Sequence, residues 1–172
     1  MNNPTVNKIY LNTPETLSSP AFGVLTRKLS ELEFSDYQLY SLSYNADVSN
    51  SSGEKTCISL VWETEHANTR FEASTLDGVL NTAERVYQNI QEFETIDFLE
   101  RYFVDVEELA ARNGFDSEEC DEEEIYQGWV LNRAIFFEKF FRLCYFGNHL
   151  FSYDLILEID YSWNLTGIQF DG

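Results

Sequence analysis

Two pairs of residues in this sequence could form the nucleophile and base of a hydrolase. Cys57 precedes His66, Cys144 precedes His149, and the chain has no other histidine. A cysteine thiolate activated by a nearby histidine attacks acyl carbons in one class of hydrolases. Neither spacing is specific to such a pair. A small thiol packed among apolar residues is the simpler explanation for both cysteines. We therefore predict that the chain is not an enzyme.

Oxygen and sulfur ligands for a metal ion are the second possibility. The carboxylates of Asp105, Glu107 and Glu108 could hold a hard cation, but no segment has the alternating ligands and central glycine of a calcium loop. Two histidines and three scattered cysteines also lack the close pairs that a zinc site needs. No glycine-rich run follows a predicted strand to cradle a phosphate. The sequence predicts neither a metal site nor a cofactor.

The strongest chemical feature is a concentration of carboxylates from Glu92 to Glu124, which we call the acidic segment. It contains 14 acidic residues and two arginines, so that it carries −12 of the formal charge of −19. Apolar residues recur in it at helical spacing from Ile96 to Leu109, which predicts a helix with the carboxylates on its outer side. If the whole segment of 33 residues is helical, it spans roughly 50 Å. Such a row of carboxylates resembles the phosphate backbone of a DNA duplex.

The carboxylates of the acidic segment are the residues that we expect to bind a partner, by pairing with its arginine and lysine side chains. They are Asp97, Glu100, Glu107, Glu108, Asp116, Glu118, Glu119, Asp121, Glu122, Glu123 and Glu124. Nucleic acid and anionic membrane surfaces are repelled by such a charge. The expected partner is therefore a protein with a basic nucleic-acid-binding site, such as a nuclease or a nuclease complex.

These charges predict a non-enzymatic inhibitor that mimics nucleic acid and occludes the basic site of its partner. Phage or mobile elements would direct such a protein against restriction or CRISPR systems, and an immunity protein against a basic nuclease toxin would need the same charges. A third possibility is an acidic adaptor or structural domain that binds through an aromatic surface at Trp129, Phe136 and Phe137, including as a homodimer. The simplest alternative is that the carboxylates of the acidic segment only keep the protein soluble. Solubility, however, needs a net charge of only about 2 to 8.

Length and composition predict one folded domain over residues 1–172. The chain is 44% hydrophobic and 16% aromatic, which is too apolar for disorder despite its charge. No signal peptide and no apolar run of membrane-spanning length is visible. The three cysteines are odd in number and widely spaced, which is typical of a reducing compartment. We therefore expect a cytoplasmic protein.

Alternating apolar residues predict the strands of the fold. Residues 40–48 and 58–62 are expected to form an antiparallel hairpin with a polar loop between them. Residues 151–161 are expected to form a strand with one buried and one wet face. Residues 165–170 and 6–11 are further strand candidates.

Helical spacing of apolar residues predicts four helices between these strands. They run from Pro20 to about Glu33 behind an N-cap at Ser19, from Ser74 or Thr75 to Ile90, from Ile96 to Asn113, and from Ser117 to about Phe146. The combined order predicts an α+β fold, in which an antiparallel sheet of about three to five strands carries about four helices mainly on one face.

Overall fold

One mixed sheet of eight strands forms the frame of the part of the chain that the structure describes. The computed structural model describes residues 13–33, 38–49, 53–64, 73–91, 129–146 and 154–171. The elements are β1 Thr16–Ser19, β2 Gly23–Glu33, β3 Gln38–Ser49, β4 Lys55–Thr64, α1 Ala73–Gln91, β5 Val130–Phe136, β6 Phe140–Phe146, β7 Asp154–Asp160 and β8 Leu165–Asp171. The strands lie in the sheet in the order in which they occur in the chain. In the described ranges, no helix has the length and apolarity to cross a membrane.

Two antiparallel units of four strands, β1–β4 and β5–β8, meet at a parallel pair in the middle of the sheet. β4 and β5 run in parallel from Cys57 opposite Arg133 to Leu60 opposite Phe136, whereas all other neighbours are antiparallel. Parallel neighbours cannot be joined by a tight turn and need a crossover connection. The crossover contains α1 and the acidic segment, because both lie between β4 and β5 in the chain.

One face of the sheet, which we call the inner face, is apolar and packs against α1. Tyr44, Leu60, Phe136, Phe141 and Ile159 are consecutive cross-strand partners on this face, and all five are buried. The side chains of α1 that complete the same core are Leu76, Val79, Leu80, Ala83, Val86, Tyr87 and Ile90. Burial of one large apolar side chain stabilises a fold by about 1.5–3 kcal/mol. This layer between sheet and helix is therefore the main source of stability.

The predicted helix over Pro20–Glu33 is wrong, because this stretch forms a turn followed by β2. The hydroxyl of Ser19 accepts hydrogen bonds from the N–H groups of Ala21 at 3.1 Å and Phe22 at 2.9 Å. Serine hydroxyls satisfy backbone donors in turns as well as at helix N-termini. Gly23 then adopts a φ of 74°, a conformation that glycine reaches without steric cost. The capping signal therefore belongs to the turn between β1 and β2.

That turn packs over the inner face and joins the first strands to α1. Phe22 is buried, with its ring centroid 5.4 Å from that of Tyr87 and 6.5 Å from that of Phe136. The hydroxyl of Ser19 also donates a hydrogen bond to the carboxylate of Glu84 in α1. The turn thus links β1 and β2 to the helix and to the central strands.

The second half of the predicted helix over Ser117–Phe146 is also wrong, because it forms the β5–β6 hairpin. The N–H of Phe137 donates to the carbonyl of Phe140 at 2.9 Å and closes a tight turn around Glu138 and Lys139. Alternate residues of a strand face opposite sides of the sheet. A run that is apolar at nearly every position therefore suits a strand with apolar residues on both faces as well as it suits a buried helix.

Several predicted elements are confirmed, but the predicted fold class is wrong. The strands at β3, β4, β7 and β8 and the helix α1 are where the sequence predicts them. The described residues contain one helix instead of about four, and the sheet is mixed and eight-stranded instead of antiparallel with about three to five strands. The predicted strand over 6–11, the predicted helix over 96–113 and the part of the last helix before 129 lie outside the described residues.

Candidate functional site

The acidic segment lies in the connection between α1 and β5, where the chain crosses from one half of the sheet to the other. α1 ends at Gln91 and β5 begins at Val130. All predicted partner-binding carboxylates, from Asp97 to Glu124, lie between these two points and outside the described residues. On either side, Ile90 is 6% exposed and Trp129 is 3% exposed in the same core. The connection is therefore anchored to the folded frame at both ends, and the positions of its carboxylates stay a prediction.

Charge is divided unevenly between this connection and the frame. The described residues, although far more numerous than the acidic segment, carry a net charge of only −6. On the face of the sheet opposite α1, which we call the outer face, both signs are mixed: the exposed bases Lys55 and Arg133 are near the exposed Asp47 in the strand register. Most of the net negative charge therefore belongs to the crossover and not to the described sheet and helix.

A third basic residue of the outer face, Arg142, forms an ion pair with Glu158. The Nε and Nη2 atoms of Arg142 donate to Oε2 of Glu158 at 3.0 and 2.9 Å. The guanidinium also lies 5.3 and 5.4 Å from the ring centroids of Phe137 and Phe140. The Arg142 and Glu158 side chains are 34% and 27% exposed, so that solvent screens the pair and its net contribution is about 0–1 kcal/mol. These contacts link the β5–β6 turn to β7.

Of the two cysteine–histidine pairs considered from the sequence, the structure describes only the cysteines. Cys57 and Cys144, the latter in strand β6 and not in a helix, are both cross-strand partners of Arg133. Two strand spacings of about 4.8 Å separate them, which is too far for a disulfide between the two. His66 and His149 lie outside the described residues. Within the described ranges, no group of three His, Cys, Asp or Glu side chains could hold a metal ion.

Two of the three residues considered for an aromatic binding surface of an adaptor are buried. Trp129 is 3% exposed and Phe136 is fully buried, which leaves Phe137, whose ring stacks on that of Phe140 at 4.5 Å. The large apolar side chains that are exposed in the described part of the chain are Val24, Val130, Phe146 and Ile168. Sequence analysis missed this set, because exposure on a strand depends on register and on the position of the strand in the sheet.

In the turn between β7 and β8, hydrogen bonds lower the pKa of the Asp160 carboxyl group. Oδ1 of Asp160 accepts hydrogen bonds from the N–H groups of Ser162 at 2.8 Å and Asn164 at 2.9 Å. The side-chain amide of Asn164 also donates to Oδ2 at 3.0 Å. These bonds, led by the one from the Asn164 side chain, lower the pKa of Asp160 below its ordinary value of 3.8. The ionised carboxylate organises the turn, in which Trp163 adopts a φ of 66°.

We predict that the Asp160 carboxylate contributes to stability at neutral pH and that acid removes the contribution. A carboxyl group with a lowered folded pKa stabilises the fold above its unfolded pKa, and this effect is lost as the pH falls through the folded value. The carboxyl carbon of Asp160 should therefore titrate below pH 3.8 by NMR. The Asn164→Ala variant should raise the midpoint toward that value. A midpoint that does not move on this substitution would contradict the assigned cause.

No protein-family model matches this chain, and no curated protein and no solved structure matches it either. The function is therefore inferred from the residues of the chain itself and from their positions in the fold.

Proposed function

We propose that this chain is a non-enzymatic inhibitor whose acidic segment occupies the basic nucleic-acid-binding site of a partner protein. One observation carries the proposal: −12 of the net charge of −19 belongs to one connection, residues 92–124, between α1 and β5. Solubility of a small domain requires a net charge of only about 2 to 8. Repulsion among so many carboxylates also destabilises the compact state. Binding to a cationic surface explains why a fold would tolerate this cost.

The anchoring of the acidic segment supports this role. Ile90 before it and Trp129 after it are buried in the core between sheet and helix. A segment that is fixed at both ends has fewer conformations to lose on binding than a free tail of the same length. The loss of conformational entropy on capture is therefore smaller, and more of the interaction energy appears as affinity.

The chemistry of the partner follows from the same charges. Carboxylates attract a groove lined with arginine and lysine, and they steer its approach over long distances at low salt. Nucleases of restriction or CRISPR systems have such grooves, and so do nuclease toxins, for which this chain would act as the immunity protein. The three cysteines are odd in number and widely spaced, which fits the cytoplasm, where these nucleases meet nucleic acid.

A pull-down with two modes of elution tests the proposal. The immobilised full chain is incubated with a nuclease-treated bacterial lysate at about 0.1 M salt, and the beads are then divided. One half is eluted at about 0.5 M salt and the other with a duplex DNA of about 20 base pairs at low salt. We expect mass spectrometry to identify the same basic nucleic-acid-binding protein in both eluates, because the duplex competes for the site that the acidic segment occupies.

Beads that carry polyglutamate provide the control, since they capture proteins that bind any polyanion. A protein that binds this chain but not polyglutamate, and that the duplex releases, supports occlusion of a specific site. If salt releases the captured proteins but the duplex does not, the acidic segment does not occupy a nucleic-acid site. If polyglutamate captures the same set, the segment is a solvated face without a specific partner. Either of these two results would reject the proposal.

A further inference from the structure

The two edges of the eight-stranded sheet differ in how they are protected from pairing with another strand. Edge strand β1 has four residues and lies between Pro14 and Pro20. The hydroxyl of Tyr44 donates to the carbonyl of Pro14 at 2.6 Å, which ties the chain before β1 to β3. A short edge flanked by prolines is a poor template for another strand. This edge is therefore protected against pairing with another strand.

The edge at β8 has few of these protections. β8 spans Leu165–Asp171 and pairs with β7 on one side, and no strand of the described residues pairs with its other side. It contains no proline and no lysine or arginine, and its one charged residue is Asp171 at its end. Ile168, in register with the buried Leu157 of the inner face, is 43% exposed. Among the described residues, this edge therefore has backbone groups without a partner strand, together with apolar surface.

A bulge limits the part of β8 that can serve as a template. Glu158 pairs with Gly167 and Ile159 pairs with Leu165, so that Thr166 is an extra residue between them. The hydroxyl of Thr166 donates to the carbonyl of Glu158 at 3.2 Å, which holds the bulge in place. A bulge bends the strand locally and interrupts its ladder. The regular run available for pairing is therefore Gly167–Asp171.

We infer that this run pairs with the same run of a second copy of the chain, antiparallel and about a two-fold axis at Gln169. In this register, Ile168 of each copy lies opposite Phe170 of the other, and Gly167 lies opposite Asp171. By residue type, this register places an aliphatic residue opposite an aromatic one and no two like charges opposite each other, which favours pairing. The run is thus self-complementary, which is the requirement for a closed two-fold interface. The product is one continuous sheet through two copies of the chain.

The net charge opposes this dimer but does not prevent it. β5, the strand that follows the acidic segment in the chain, lies three strand spacings or about 14 Å from β8. Repulsion between two acidic segments is screened as salt rises, whereas backbone pairing and apolar contact are not. Added salt should therefore strengthen the dimer, while it weakens the proposed capture of a basic partner. The dimer does not depend on the proposed function, and the two can fail separately.

Sedimentation equilibrium of the full chain tests the inference. At about 0.5 M salt we expect a monomer–dimer equilibrium with a Kd of about 10–100 µM, since pairing of five residues forms a small interface, and we expect weaker association at about 0.05 M salt. Ile168→Lys places a charge in the apolar pair, and Gln169→Lys places two lysines opposite each other at the axis. Each variant should raise the Kd at least about tenfold, although each lowers the net negative charge.

Val24→Lys is the matched control for Ile168→Lys, because it also replaces an exposed apolar side chain by a charged one. Val24 lies on β2 and is 63% exposed. It should dimerise at least as well as the unmodified chain. A chain that is monomeric up to about 200 µM at high salt would refute the inference and leave the β8 edge to a strand of another protein. A dimer that survives both lysine variants, or that Val24→Lys disrupts equally, would also refute it. Circular dichroism of each variant checks that the sheet is intact.

Discussion

Reversal of Glu118, Glu119, Glu122 and Glu123 to lysine in one variant is expected to weaken binding to the captured partner at least about 100-fold. Each reversal removes one attractive contact and adds one repulsive contact, and a total loss of about 3 kcal/mol corresponds to more than 100-fold in Kd. These residues lie in the acidic segment and outside the described sheet and helix. The Kd of the partner identified in the pull-down, measured by titration calorimetry at about 0.1 M salt, provides the test.

A second variant with the same net charge separates the position of the charges from their number. Four exposed acids of the frame, in β3, β4, α1 and the β5–β6 turn, are reversed to lysine together. They are Asp47, Glu63, Asp77 and Glu138. We expect this variant to bind within about threefold of the unmodified chain, because its acidic segment is intact.

The slope of affinity against salt supplies the second readout for these variants. The unmodified chain and the frame variant should both lose affinity steeply as salt rises, whereas the residual binding of the acidic-segment variant should depend less on salt. Equal loss of binding in the two variants would mean that overall charge, and not the acidic segment, holds the partner. A folded acidic-segment variant with unchanged affinity would exclude the occlusion mechanism.

Phe136→Ala is expected to lower the free energy of unfolding by about 3–5 kcal/mol. Phe136 is fully buried in β5, and its ring centroid lies 6.0 Å from that of Phe141 and 6.5 Å from that of Phe22. The substitution leaves a cavity where the β1–β2 turn, the β5–β6 hairpin and the inner face meet. Urea unfolding followed by circular dichroism measures the change, which is a large part of the roughly 5–15 kcal/mol that stabilises most domains.

Phe146→Ala is the matched control, because it removes the same side chain from the neighbouring strand. Phe146 is 50% exposed on the outer face, opposite Val130. Its removal should cost less than about 1 kcal/mol. The contrast depends on β5 and β6 being strands, since strand alternation decides which phenylalanines face the core. Equal losses for the two variants would contradict the hairpin.

The alternation of apolar and polar residues predicted the strands that have one wet face. In β7, Leu155, Leu157 and Ile159 are buried while the intervening residues are partly exposed. The sequence shows the same alternation of apolar and polar residues. In β5 and β6 the apolar residues occur on both faces, so that the period disappears. The same composition suits a buried helix, and only long-range pairing distinguishes the two.

Near the beginning of the chain, a local helix-start pattern also predicted the wrong element. Ser19 followed by Pro20 satisfies the pattern of a helix start, and the serine does cap backbone N–H groups. The residues after that turn, however, gain more from pairing with β3 than from an isolated helix. Tertiary contacts commonly override local propensity in this way.

The sequence by itself determined the helix α1, the strands β3, β4, β7 and β8, and the concentration of charge between Glu92 and Glu124. Each of these depends on residue types at short, regular spacing along the chain. Only the tertiary structure decided that β4 and β5 lie side by side in parallel, that Trp129 and Phe136 are buried, and that β8 is the last strand of the sheet among the described residues. These features depend on which distant strands meet, and the free energy of that choice is a sum over contacts between remote residues that no local pattern records.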